Sequence, residues 1–244
     1  MRYAIISDIH SNLEAFQAVL EHMEGGGPVE ELWCLGDVVG YGPAPNECIQ
    51  LLRSYPHACI AGNHDWAAIG RVDTSEFNPE AAAAIIWTSR QLTPESRDYL
   101  DALPLTLVRG DFTLSHGSPR NPIWEYILSE RAASLSFAHF ETRYCLAGHS
   151  HVPVLFGMDD NGRVSHEGMP EDRSFRLEEG RWILNPGSVG QPRDGDPRAS
   201  YVAYESDTGE FRSFRVPYDI EATQRKMRKM GLPRMLAERL SYGW

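Results

Sequence analysis

Five short apolar stretches of this chain each run directly into a residue able to bind a metal, and this recurrence limits what the chain can fold into. The stretches cover residues 3–6, 32–35, 58–60, 112–114 and 144–147. They lead into Ser7-Asp8-Ile9-His10, Gly36-Asp37-Val38-Val39-Gly40, Gly62-Asn63-His64-Asp65, Ser115-His116-Gly117 and Gly148-His149-Ser150-His151. A short apolar run bounded by glycine and polar residues reads as a buried strand. A strand ending in a ligand-type residue places that side chain at one edge of a sheet. Five such ends can therefore converge on one point, although they are spread over more than half the chain. Asp, His and Asn donors meeting there are what a two-metal hydrolytic site needs.

The connections between the stretches are consistent with a layered fold. Ser11-Asn12-Leu13-Glu14 fits a capping box, with Ser11 as N-cap and Glu14 reaching back, ahead of a helix that Gly25-Gly26-Gly27-Pro28 stops. A second helix is expected at 45–53, so the first sixty residues read βαβαβ, with parallel strands and right-handed crossovers. Asn78-Pro79 and Thr93-Pro94 each place a cap and a first-turn proline before helices at 81–90 and 95–101. Residues 105–114 read as a hairpin turning at Gly110-Asp111, and Ser129 caps a helix running to about residue 140. Beyond residue 144 short strands dominate. Hairpin tips are expected at Asp159-Asp160-Asn161-Gly162, Glu178-Glu179-Gly180 and Ser206-Asp207-Thr208-Gly209. Strand-rich ends around a helical middle imply two sheets packed face to face with helices outside. No linker or repeat divides the chain, so residues 1–244 are read as one domain, with 220–244 as a C-terminal helical extension.

Bulk properties exclude several classes. The chain of 244 residues is long enough to bury a sizeable core, and 42% hydrophobic with 23% charged residues is ordinary for a globular domain. No apolar run approaches the ~20 residues needed to cross a bilayer, and the N-terminus does not read as a secretory signal, so a cytoplasmic location is expected. The net charge of −11 argues against a nucleic-acid surface. It leaves an anionic substrate open, because bound cations dominate the field inside a site. Cys34, Cys48, Cys59 and Cys145 lack CxxC spacing and are read as buried hydrophobes.

Each island taken singly is weak, since a lone histidine such as His116 is more often a hydrogen-bonded structural residue than a ligand. His22, His57, His139 and His166 sit in no comparable context. The donors together offer carboxylate, amide oxygen and imidazole without thiolate. That set suits Mn²⁺, Fe, Co²⁺ or Zn²⁺ and differs from a structural zinc site.

The ordered set Asp8-x-His10, Gly36-Asp37-x-x-Gly40, Gly62-Asn63-His64-Asp65, His116 and Gly148-His149-x-His151 resembles the calcineurin-like metallophosphoesterase superfamily, especially its small single-domain phosphodiesterases. Asn185-Pro186-Gly187-Ser188 extends the similarity. The resemblance implies an α/β fold, a four-layer α/β/β/α sandwich of two mixed sheets flanked by helices. It implies two divalent metal ions, manganese first, with Fe, Zn, Co or Ni as alternatives. Asp8, His10 and His151 would hold one ion and Asn63, His116 and His149 the other, with Asp37 bridging. The Ser/Thr protein phosphatases of this superfamily carry Gly-Asp-x-x-Asp-Arg-Gly at the second motif. This chain has Gly36-Asp37-Val38-Val39-Gly40-Tyr41-Gly42 instead, which favours the phosphodiesterase branch.

The expected reaction is hydrolysis of a small or nucleotide-type phosphodiester by a hydroxide generated between two cations ~3.5–4 Å apart. His64, left over from the ligand count, is the candidate catalytic residue, as general acid or transition-state donor near the leaving oxygen. Arg120 and Arg193 are candidate substrate contacts. Gly187 and Gly190 could turn backbone N–H groups towards a phosphate, or their loop could be a rigid connection between strands. Asn12, beside the first island, is placed at the first helical position, and the basic run Arg225, Lys226, Arg228 and Lys229 is read as a solvated helix face. A phosphomonoesterase or nucleoside-polyphosphate hydrolase is the alternative activity, a non-catalytic scaffold the alternative class, and a homo-oligomer is left open.

Overall fold

The computed structural model describes residues 1–177 and 179–244. Its strands are β1 (Arg2–Ile6), β2 (Glu31–Cys34), β3 (His57–Cys59), β4 (Thr106–Arg109), β5 (Phe112–Ser115), β6 (Tyr144–Ala147), β7 (Val154–Met158), β8 (Val164–Gly168), β9 (Ser174–Arg176), β10 (Arg181–Asn185), β11 (Ala199–Glu205) and β12 (Glu210–Val216). Its helices are α1 (Leu13–Gly25), α2 (Pro45–Arg53), α3 (Asn63–Ala68), α4 (Pro79–Gln91), α5 (Pro94–Asp101), α6 (Glu130–Phe137), α7 (Ile220–Lys229) and α8 (Arg234–Glu238).

The strands form two six-stranded mixed sheets, ordered β3-β2-β1-β11-β12-β9 and β4-β5-β6-β10-β7-β8. Side-chain alternation assigns each strand residue to one of two apolar layers. Ile5, Trp33, Leu35, Phe112, Leu146, Leu184 and Val202 fill the layer between the sheets. Ala4, Ile6, Cys34 and Cys59 point the other way, onto Phe16, Val19, Ile49 and Leu52 of α1 and α2. On the second sheet Cys145, Ala147 and Ile183 meet Ala133 and Phe137 of α6. Strands buried on both faces explain the near-continuous apolar runs in the sequence. The result is the expected α/β/β/α sandwich. All four cysteines are free and buried, and no helix among the described residues is long and apolar enough to cross a membrane.

Several elements differ from expectation. The N-cap of α1 is Asn12, whose side chain accepts from the Ala15 N–H at 3.2 Å. Ser11 sits at φ 54°, and Glu14 is drawn instead towards Thr223 and Lys226 of α7. Asn12 also donates to Gly190 O at 2.8 Å and accepts from Thr223 Oγ1 at 3.0 Å, so it knots three segments together. The expected hairpin at 178–180 does not form, because β9 pairs with β12 whereas β10 pairs with β6 and β7. The chain there crosses from one sheet to the other, and Glu178 itself lies outside the described residues. Helix α6 stops at Phe137 rather than residue 140. The second C-terminal helix covers only Arg234–Glu238, followed by a 3₁₀ turn over Arg239–Ser241.

Candidate active site

Strands β1, β2 and β3 are parallel neighbours, as are β5 and β6. Their C-terminal ends therefore open at the same edge, where α/β sheets place ligands. Asp8 and His10 follow β1, Asp37 follows β2, His116 follows β5, and His149 and His151 follow β6. Asn63 and His64 open α3, a helix the sequence reading had missed. It begins at Gly62, whose N–H donates to Asp65 Oδ2 at 3.0 Å. The other Asp65 oxygen accepts from the Val39 N–H at 3.0 Å, fastening the second island to the third.

The seven expected donors all come together, and all are buried. His10 Nε2 lies 3.1 Å from His151 Nε2, 3.6 Å from Asp37 Oδ2 and 3.8 Å from Asp8 Oδ1. His151 Nε2 lies 3.3 Å from Asp8 Oδ1. On the other side His116 Nε2 lies 3.1 Å from Asn63 Oδ1 and 3.3 Å from Asp37 Oδ2, and His149 groups with Asp37 and His116. Donors held ~2.1 Å from a shared ion stand roughly 3.0–3.4 Å apart in tetrahedral or octahedral geometry, close to these spacings. Asp8 Oδ1 and Asp37 Oδ2 are buried and accept no hydrogen bond among the described residues. Two carboxylate oxygens left so would be costly unless a cation satisfied them. The donor set therefore fits two cations that share Asp37.

The far side of each imidazole fixes its orientation. Nδ1 of His10 faces Val39 O at 3.1 Å, Nδ1 of His116 faces Leu35 O at 2.8 Å, and Nδ1 of His151 faces Gln191 O at 2.6 Å. These contacts leave Nε2 for the centre, as second-shell carbonyls do for metal-binding histidines. His149 is reversed: its Nε2 faces Trp124 O at 3.2 Å, leaving Nδ1.

The backbone at the donors is unusual. Asp8, His10, Asp37, His149 and His151 have φ between 49° and 65°, the left-handed region that costs a non-glycine residue ~1 kcal/mol or more. Main-chain hydrogen bonds hold it, including Asp8 N to Gly36 O at 3.1 Å and His10 N to Asp37 O at 2.9 Å. A Cβ at Gly62 would overlap the Asp37 carboxylate, so only glycine permits this approach.

Burial and neighbouring charge set the proton affinities. Burial lifts Asp8 to about 7 and pushes His149 down to about 3 and His64 down to about 4. His10 and His151 are held well below the usual range, chiefly by burial. For Asp37 burial works upward, but the imidazoles of His116, His64 and His10 outweigh it and hold the carboxyl low. For His116 burial works downward, and the Asp37 carboxylate overrides it, raising the imidazole to about 9.

Above the donors lies a cleft of about 190 Å³, lined by Tyr41, His64, Phe77, Trp124, Tyr126 and Arg193 among others. His64 Nδ1 is buried against Gly40 without a partner, which leaves Nε2 as the nitrogen facing the cleft. His64 also lies within 4.8 Å of His10 and Asp37, so distance alone does not separate it from the ligands. Arg193 donates to Gln191 Oε1 at 2.9 Å and sits 5.9 Å over the Tyr41 ring. Arg120 is not brought into the cleft; it pairs with Glu125 at the surface. Nor do Gly187 and Gly190 present N–H groups to a ligand. Gly187 N donates to Asn185 Oδ1 and Gly190 N to Asp8 O, both at 2.9 Å, so the loop braces Asp8. The aromatic lining was not singled out from the sequence, because Phe77, Trp124 and Tyr126 lie in stretches without periodicity.

Fold and clustered donors together define the class of the metal-dependent phosphoesterases. The chain belongs to the calcineurin-like phosphoesterase superfamily, whose domain matches residues 1–209. A metallophosphoesterase from Sphaerobacter thermophilus superposes with a TM-score of 0.90 at 46% identity, covering 100% of both chains. An uncharacterised protein of Methanocaldococcus jannaschii is 38% identical over 98% of this chain and 97% of its own length. A more local match, 27% identical over 35% of each chain, is to a symmetrical bis(5'-nucleosyl)-tetraphosphatase of Pseudomonas putida.

Proposed function

We propose that this phosphoesterase is a dinuclear-metal phosphodiesterase acting on a small or nucleotide-type substrate. The observation that carries the reading is the pair of buried, unpartnered oxygens, Asp8 Oδ1 and Asp37 Oδ2, ringed by imidazoles under an open cleft. Asp8, His10 and His151 would hold one cation and Asn63, His116 and His149 the other, with Asp37 between them. Bound there, two divalent ions would supply positive charge for the phosphoryl oxygens and an activated water; the mixed oxygen and imidazole donors suit Mn²⁺, Fe, Co²⁺ or Zn²⁺, and the family resemblance puts manganese first.

The chain's own residues do the rest. Two carboxylates against two divalent ions leave a surplus of two positive charges, which suits a phosphate anion in an otherwise acidic protein. His64 Nε2 faces the cleft and acts on the leaving oxygen as it separates from phosphorus. Burial keeps the imidazole neutral at rest, so its Nε2–H tautomer donates a hydrogen bond to the negative charge that builds on the departing oxygen, which takes its proton from solvent. Arg193, half-buried beside Tyr41, contacts the substrate's phosphate. Arg120, tied to Glu125, has no part in this reading.

Purified protein supplied with Mn²⁺ should hydrolyse bis-p-nitrophenyl phosphate faster than p-nitrophenyl phosphate. The reverse order would identify a monoesterase. A second reading, hydrolysis of a nucleoside polyphosphate, draws on the local similarity to the bis(5'-nucleosyl)-tetraphosphatase and on the aromatic walls of the cleft.

A further inference from the structure

Five imidazoles meet beneath the cleft, and four of them are aimed by a main-chain carbonyl. His10, His116 and His151 hold Nδ1 against a carbonyl oxygen, and His149 holds Nε2 against one. His64 is the exception. Neither of its ring nitrogens has a hydrogen-bond partner among the described residues, and its Nδ1 is fully buried. The torsion that turns an imidazole about its Cβ–Cγ bond is broad. A ring without a hydrogen bond is therefore kept in one plane by the atoms packed around it. His64 is 3% exposed, so such atoms surround it.

Three rings and a glycine supply the packing. The Tyr41 ring centroid lies 4.3 Å from that of His64 with the planes tilted at 46°, and Phe77 meets His64 edge-on at 5.0 Å and 70°. His10 stands at 4.9 Å and 82°. These are the tilted and edge-on arrangements that ring quadrupoles favour. Gly40, at φ 96°, backs onto the ring so closely that a Cβ there would come within 2.6 Å of Nδ1 and 3.0 Å of Cγ. The two aromatic rings are themselves anchored. Tyr41 packs in an apolar cluster with Ala81 and Ala84 of α4 and Leu236 and Leu240 of the C-terminal extension, with Phe77 at its margin. Phe77 ends the short 3₁₀ turn Thr74–Glu76, its N–H donating to Thr74 O at 3.2 Å, and its ring rests on Trp124 at 5.1 Å.

We propose that Tyr41 and Phe77 are positioning residues for His64: their rings fix the plane of its imidazole, and so aim Nε2 into the cleft, where the other four histidines use a carbonyl. The inference rests on the reading of His64 as the catalytic residue of a phosphoesterase. A misaimed Nε2 leaves the donor cluster and the substrate's phosphate where they are and weakens only the contact with the leaving oxygen. The loss therefore falls on kcat rather than on KM.

The test is a double-mutant cycle in the full-length, Mn²⁺-loaded protein turning over bis-p-nitrophenyl phosphate. Phe77→Leu and Tyr41→Leu should each lower kcat ~10-fold, with KM and metal content little changed, since a displaced catalytic group can cost up to ~10²-fold. In a His64→Ala background the same substitutions should cost almost nothing further, because no ring is left to aim. Tyr41→Phe keeps the ring and should recover most of the kcat lost in Tyr41→Leu. Equal losses with and without the His64 ring would overturn the inference. So would a Tyr41→Phe chain as slow as Tyr41→Leu, or full kcat in Phe77→Leu. Phe77 is half-buried at the rim of its cluster, so Phe77→Leu carries the test if Tyr41→Leu does not fold. A His64→Ala chain as active as the native one would instead sink the reading of His64 and the inference with it, a failure visible before either ring is touched.

Discussion

The main-chain N–H of His64 donates to Asp37 Oδ1 at 2.8 Å, while Oδ2 of the same carboxylate lies between His116 Nε2 at 3.3 Å and His10 Nε2 at 3.6 Å. One oxygen is fixed by the backbone and the other faces both halves of the donor cluster. Asp37→Asn keeps the size and removes the charge. The variant should retain one metal ion per chain or fewer and lose at least ~10²-fold in kcat/KM, since even outer-shell changes cost metal sites 10–100-fold. Metal analysis together with bis-p-nitrophenyl phosphate turnover checks it.

His64 separates positioning from chemistry. Its backbone holds Asp37, whereas its ring faces the cleft, so His64→Ala removes the ring and keeps the N–H. Without the ring kcat should drop ~10²–10⁴-fold, the usual worth of acid–base or hydrogen-bonding help at a leaving oxygen, with metal content unchanged. Full activity in the variant would remove the ring from the mechanism, and loss of metal would recast it as a ligand.

Gly62 tests how closely the islands must approach. A Cβ there would overlap the Asp37 carboxylate and the Asp37 amide, so Gly62→Ala should destabilise the fold by ~1–3 kcal/mol and weaken metal retention. Gly25→Ala, at the end of α1 with nothing within 4 Å of the added carbon, should be neutral or slightly stabilising. Thermal melts of both variants provide the comparison.

Metal uptake should release protons, and the sign follows from two groups. Without cations, burial lifts Asp8 to about 7, and Asp37 overrides burial to raise His116 to about 9. Both must be deprotonated to act as donors. Below pH 7 a cation displaces protons from both groups, and between 7 and 9 from His116 alone. Affinity for Mn²⁺ should therefore rise with pH, steeply below 7 and more gently above. His149 and His64, pushed down to about 3 and about 4, stay neutral over this range and contribute no slope. Anaerobic calorimetric titrations at pH 6 to 8.5, in buffers of different ionisation heat, measure the proton count. An affinity independent of pH would contradict this assignment.

What the sequence disclosed and what it hid have physical causes. The five islands were legible because strands buried on both faces must be apolar throughout, so the polar donor ending each one stands out. Helix α3 was hidden because its cap is a glycine with no side chain. The only local signal was Asp65 three residues on, which closes back on the Gly62 N–H. The start of α1 was misplaced because Ser11 and Asn12 are both good caps, and the left-handed backbone at Ser11 decides between them. Pairing of β9 with β12 rather than β10 is a tertiary choice with no local signature. Arg193 and Arg120 looked equivalent in sequence, each in a Pro-Arg pair. Only the fold separates them, giving Arg120 a carboxylate partner and turning Arg193 towards Tyr41.

The central claim is a two-cation phosphoesterase, and stoichiometric metal titration tests it most directly. Chelator-treated protein should be inactive on bis-p-nitrophenyl phosphate. Activity should climb as Mn²⁺ is added and level off at two ions per chain. Saturation at a single ion, or no turnover with both sites filled, would contradict the account.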